Sequence, residues 1–169
     1  DSLCRYIASE CQRDVIAVSY RLAPEYPFPV GHNDVFSGFE YILTNMNYKN
    51  YTVVGYSSGA NLALAALNRL NKNFSKLSKL INHLVLVAPL LNLDLDSSRQ
   101  IDDVMLDVMD VHYMMDLYTK NVEVDLKSPE ISPFYATDEI LKKLPKISFL
   151  LMKYDPLYAD AKIFHNRLI

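Results

Sequence analysis

Apolar positions along the chain follow two rhythms: short unbroken runs rich in Val, Ile and Leu, and longer stretches where they recur every three or four residues. The first suits buried strands, the second helices with one face on a core. Residues 3–12 read as a helix, with Leu3, Tyr6, Ile7 and Cys11 on one stripe. Residues 15–20, β-branched and short, read as a strand. Pro24, Pro27 and Pro29 exclude regular structure just beyond it. From an N-cap at Asn33 or Asp34, residues Val35, Phe36, Phe39, Ile42 and Leu43 share a helical face. Residues 51–54 form a second strand, stopped at Gly55. The helix at 61–67 is apolar nearly all round, which predicts burial.

Residues 72–79, bearing lysines, read as a solvated connection, and 83–88 as a third strand ended by Pro89. The acidic, Met-rich stretch 94–126 carries helical spacing in Val104, Val108, Val111 and Met115, and Pro129 and Pro133 mark a loop after it. Residues 147–152 supply a fourth strand and 158–169 begin another helix. Strand alternates with helix, without repeat or low-complexity linker. This predicts an α/β fold with a mostly parallel sheet and helices on both faces.

Composition narrows the function classes. The chain has 169 residues, half of them hydrophobic and 22% charged, the profile of an ordinary globular domain. A net charge of -3 does not favour a polyanion partner, and nucleic-acid binding usually needs a concentrated basic face, so nucleic acid is set aside. No apolar run approaches the roughly eighteen residues that span a bilayer, and the N-terminus shows no signal-peptide pattern. Cys4 and Cys11, on one helical face, would stand about 10 Å apart, too far for a disulfide. Two free thiols fit a reducing compartment, and a cytoplasmic location is expected.

The segment with chemistry is Gly55-Tyr56-Ser57-Ser58-Gly59, a G-x-S-x-G pattern between a predicted strand and a predicted buried helix. A serine on so tight a turn is held in strained geometry with its hydroxyl pushed out at the sheet edge, and flanking glycines let neighbouring backbones approach. The following helix aims its N-terminal N–H groups at the same point, making the Ser58 N–H a candidate oxyanion donor. The alternative is an ordinary glycine-containing β-α turn.

Four blocks in order, residues 20–29 (Tyr-Arg-Leu-Ala-Pro-Glu-Tyr-Pro-Phe-Pro), 55–63, 132–136 and 154–157, resemble the hormone-sensitive-lipase-like esterases of the α/β-hydrolase superfamily. The resemblance implies carboxylic ester hydrolysis through an acyl-enzyme, with Ser57 as nucleophile, Asp155 as the acid of the triad, a small-molecule ester as substrate, and no metal or cofactor. Asp155 also follows a predicted strand, at the carboxyl edge where α/β active sites gather; its alternative is a capping Asp before Pro156. Glu25 and Asp34 match positions that brace loops near the site. Tyr56 and Ala60 stand where many relatives carry Asp and a second Gly. Met105, Met109, Met114 and Met115 are candidates for a substrate pocket or, alternatively, core filler.

In this fold the triad runs in the order Ser, acid, His. His32, His83 and His112 precede Asp155, and His165 falls inside a predicted helix. No His-Gly-Gly oxyanion motif is present. The expectation is therefore a single, incomplete α/β-hydrolase domain over residues 1–169. The resemblance implies that it lacks the N-terminal strands, a central strand between 15–20 and 51–54, and the last strand. Such an internal fragment of a longer esterase is expected to be inactive alone. The other reading is a ligand-binding relative of the gibberellin-receptor type, which keeps the pocket without the catalytic histidine.

Overall fold

Three parallel strands form the sheet in a computed structural model that describes residues 2–94 and 108–169, with side chains from 110 onward in the second stretch. In chain order the elements are α1 (Ser2–Cys11), α2 (Val30–Asn45), β1 (Tyr51–Tyr56), α3 (Ser58–Asn73), the single-turn α4 (Ser75–Ser78) and β2 (Ile81–Val87). Then come α5 (Val108–Tyr118), a 3-10 turn (Pro133–Tyr135), the short α6 (Asp138–Leu141), β3 (Lys146–Leu150) and α7 (Tyr158–Asn166). The strand order is β1-β2-β3, with Gly55 opposite Leu86 and Leu86 opposite Phe149.

Alternation along the strands sends Val53, Leu84, Leu86, Ile147 and Phe149 to the core face, where they meet α2, α3 and α7. Helix α3 fills the centre: Ala60 to Leu64, Ala66, Leu67 and Leu70 are buried, as the all-round apolar pattern requires. Phe164 of α7, fully buried, meets Phe149 edge-on. On the other face Thr52, Val54, Tyr56, Lys146, Ser148 and Leu150 are exposed. A second, smaller cluster joins Leu93, Val111, Met115, Ile131 and Leu157 with Phe28, Leu90 and Tyr118, beyond the carboxyl ends of the strands.

Residues 15–20 are not a strand. A β-branched run becomes one only where a neighbour supplies N–H and C=O partners, and among the described residues the ladder runs through β1, β2 and β3 alone. Val15 and Ile16 are exposed, while Val18 and Tyr20 pack on the core. Val18 lies so close to α2 that a Cβ at Gly38 would come within 2.9 Å of it. Helix α2 starts at Val30, earlier than a cap at Asn33 or Asp34 predicts, with Pro29 in the N-cap position. Asp34 instead binds Arg21, accepting from its guanidinium at 2.7 and 2.9 Å and from its backbone N–H at 3.0 Å. Gly55 lies inside β1 rather than ending it, and 72–79 holds the end of α3 and all of α4. Cys4 and Cys11 are free thiols. Among the described residues no helix is long and apolar enough to cross a membrane.

Candidate active site

Ser57 is the hinge between β1 and α3, at φ 51° and ψ -116°. A non-glycine residue is costly there, by about 1–3 kcal/mol, and persists only where its surroundings over-determine it. Those surroundings are backbone hydrogen bonds. The Ser57 N–H donates to Val87 O at 2.9 Å, and its carbonyl accepts from the N–H groups of Ala60, Asn61 and Leu90 at 3.1, 3.4 and 3.2 Å. Although Ser57 occupies the N-cap of α3, its hydroxyl makes no capping bond, the usual use of a serine there. The Oγ is thus not occupied by its own helix.

The two glycines of the motif are unequal. A Cβ at Gly55 would lie 2.5 Å from Ala60 Cα, 2.7 Å from Ala60 N and 2.8 Å from Gly59 O, all backbone atoms that cannot move aside. A Cβ at Gly59 meets nothing within 4 Å among the described residues. The close approach expected of both glycines is therefore found at Gly55.

The neighbouring strand repeats the manoeuvre. Ala88, one residue past β2, has φ 41° and donates its N–H to Leu150 O at 2.9 Å. Each of these exit residues is pinned to the last residue of the next strand, Ser57 to Val87 and Ala88 to Leu150, giving a staircase across the carboxyl edge.

Asp155 lies in the turn between β3 and α7, on the same carboxyl edge as Ser57 because the strands are parallel. Strand β2 lies between the strands they follow, and Asp155 comes five residues after the end of β3. The Asp155 carboxylate accepts the N–H of Leu157 through Oδ1 at 2.8 Å, so the capping alternative is seen, and Oδ2 makes no hydrogen bond among the described residues. Ser58 opens α3 and is exposed, its N–H among the donors a helix start leaves without an intrahelical partner.

None of the four histidines joins Ser57 to Asp155. His83 Nε2 bonds Ser148 Oγ at 2.9 Å, low on the strands, and His165 meets the Phe149 ring edge-on from α7. His112 lies on α5, its Nε2 buried without a partner among the described residues. His32 is buried at the start of α2, its Nδ1 2.5 Å from the Tyr118 hydroxyl and its ring edge-on to Phe28. Burial holds the His32 pKa down at about 4, with the Asn61 amide pulling the other way and Arg69 adding to the fall. Burial likewise pushes the Tyr118 hydroxyl up.

The other sequence candidates divide. Asp34 makes the bracing ion pair expected of it, and Arg21 holds its pKa down at about 2. Glu25 is exposed and makes no bond among the described residues. Met115 is buried in the smaller cluster, as core filler would be, and Met114 is exposed. Met105 and the Met109 side chain lie outside the described residues. Two surface concavities of about 370 and 420 Å³ include neither Ser57 nor Asp155. Asn61, 4% exposed, is a site residue that sequence reasoning missed; its signal is an amide standing alone in the apolar run 60–67.

A strained serine between a strand and a buried helix, on a parallel sheet with an acid on the same edge, is the arrangement of an α/β hydrolase. The chain belongs to the alpha/beta hydrolase fold family, whose model matches residues 1–169. It is 32% identical over 178 residues to an arylesterase of Saccharolobus solfataricus, aligning 100% of this chain with 56% of that protein. It is 29% identical to an esterase of Acinetobacter venetianus, covering 95% of the chain and 52% of the relative. A solved hyperthermophilic esterase from the archaeon Pyrobaculum calidifontis superposes with a TM-score of 0.85 at 25% identity, covering 98% of this chain and 54% of that one. The chain thus spans about half the length of the curated relatives it matches.

Proposed function

We propose that the protein carrying this chain is a carboxylic ester hydrolase acting through an acyl-enzyme on short to medium acyl esters. Ser57 attacks the ester carbonyl. A histidine supplied by sequence following Ile169 takes the serine proton and returns it to the leaving alcohol. Asp155 orients that imidazole and stabilises its charged form. The Ser58 N–H, at the positive end of α3, stabilises the oxyanion together with donors from elsewhere in the full protein. On this reading residues 1–169 alone do not turn over esters.

The observation that carries the proposal is the Ser57 backbone at φ 51°, held strained while its hydroxyl is left out of the helix cap. The relatives named as esterases support the same reaction class. The test is covalent labelling of the full-length protein by a serine-directed fluorophosphonate, followed by peptide mass mapping. The expected result is one adduct at Ser57, lost in Ser57→Ala along with turnover of a p-nitrophenyl ester, a drop of about a millionfold in kcat. Well-folded protein that takes no adduct at Ser57 overturns the proposal and leaves a ligand-binding role for the same fold.

A further inference from the structure

Asn61 is the one polar residue among the buried positions of α3, in its first turn, where every neighbour from Ala60 to Leu64 is apolar. An amide in such surroundings is costly unless its hydrogen bonds are made. Both donors of the Asn61 amide are used, and neither serves its own helix: Nδ2 donates to Leu90 O at 3.0 Å and to Ile131 O at 2.8 Å. One side chain therefore joins three parts of the chain far apart in sequence.

What distinguishes this bracket from ordinary core satisfaction is where it closes. Leu90 is held at both of its backbone polar groups, its carbonyl by the Asn61 amide and its N–H by the Ser57 carbonyl. Asn61 N–H donates to that same Ser57 carbonyl. The bonds make a closed ring of Ser57, Asn61 and Leu90, built one helical turn from the serine. Around it the loop after β2 is fastened again: Phe134 N–H donates to Leu91 O at 2.9 Å, and Leu93 N–H to Ser132 Oγ at 2.8 Å. The loop cannot shift without pulling on Ser57, and its grip on α3 passes through Asn61.

We infer that Asn61 is a positioning residue for Ser57: its amide clamps the loop after β2 through Leu90 and Ile131, and that loop holds the serine in its strained, reactive conformation. Asn61 touches no reacting atom. The inference rests on the proposal that Ser57 is the nucleophile.

The test uses the full-length protein, with Asn61→Leu, which keeps the volume and removes both donors, and Asn61→Ser, which keeps a shorter donor should Leu prevent folding. Asn71→Ala is the control, since Asn71 on the same helix also donates to a distant carbonyl, Lys143 O at 3.2 Å, far from the serine turn. For each variant the folded fraction is set by circular dichroism. Then kcat, KM and the second-order rate of fluorophosphonate labelling are measured per folded molecule. The expected result for Asn61→Leu or Asn61→Ser is a fall of about 10- to 100-fold in kcat and in labelling rate with KM nearly unchanged, the cost of a nucleophile misplaced by about an ångström. Asn71→Ala leaves all three unchanged. Folded Asn61 variants that label as fast as the wild type overturn the inference and leave the amide a purely structural group. Ester turnover that survives Ser57→Ala overturns the nucleophile assignment instead, so the two failures are told apart.

Discussion

The turn at Ser57 and the turn at Asp155 leave the same edge of the same sheet, yet they are built on opposite principles. The Ser57 turn is strained and is held by partners distant in sequence, Val87 and Leu90. The Asp155 turn is held locally: its N–H donates to Met152 O, its carbonyl accepts from Tyr158, and its carboxylate accepts from Leu157. On the proposed reading Ser57 is the nucleophile, pushed out of a comfortable conformation, and only a surrounding fold can do that. An acid that merely orients a partner can sit in an ordinary turn. The serine side should therefore respond to substitutions far from it, and the acid side chiefly to substitution of the acid itself.

The largest effect that tests this contrast is at the acid. Asp155→Asn should keep the fold and the local turn, since an amide oxygen still accepts the Leu157 N–H, but lower kcat by about 10⁴-fold through a misoriented histidine. Steady-state kinetics on the full-length protein with an unchanged melting curve is the expected result; a variant of near wild-type kcat removes Asp155 from the triad.

Next comes the geometry of the turn at Ser57. Gly55→Ala places a methyl against the backbone of Ala60 and Gly59, and should cost about 3 kcal/mol or more of stability while also disabling Ser57. Gly59→Ala meets no neighbour and should gain up to about 1 kcal/mol from helix propensity. Urea unfolding of both variants decides it. Equal losses at the two positions would mean that the motif's glycines serve one shared purpose.

A comparable but pH-dependent effect belongs to the serine side, where His32 is buried beside Asn61. Its folded pKa of about 4 lies below the ordinary 6.5, so the unfolded chain binds the proton more readily. The His32 contribution is complete above about pH 6.5, declines as pH falls toward 4, and is lost below that. The span corresponds to about 3 kcal/mol. In His32→Gln the stability of the protein should vary less over that interval, read from urea midpoints at several pH values. An unchanged slope would show that His32 is solvated in solution.

Much of this was legible in the chain. Residues 55–59 announced the turn because the pattern specifies a local geometry, and the helix after it was visible because apolar residues on every side can only be buried. The parallel sheet followed from strand-helix alternation. Residues 15–20 misled because β propensity describes a side chain's fit to a pleated surface, and a strand also needs a partner, which no single segment reveals. The start of α2 was misplaced because Asp34 reads as a cap in one dimension and is an ion-pair partner of Arg21 in three. Asn61 was passed over for the same reason. Its two acceptors are backbone carbonyls, and a carbonyl carries no sequence signature. The difference between Gly55 and Gly59 was hidden too, since it depends on which backbone lies opposite each.

The staircase of exit residues has a consequence for timing during synthesis. Ser57 depends on Val87 and Ala88 on Leu150, so the last step is laid down almost a hundred residues after the serine itself. At about 5–20 residues per second the ribosome needs several seconds to supply it. The partners of Ser57 itself, Val87 and Leu90, come about thirty residues after it, and until they pair the serine has no reason to hold its strained pose. On the proposed reading the serine is made early and its strained turn is assembled behind it, strand by strand.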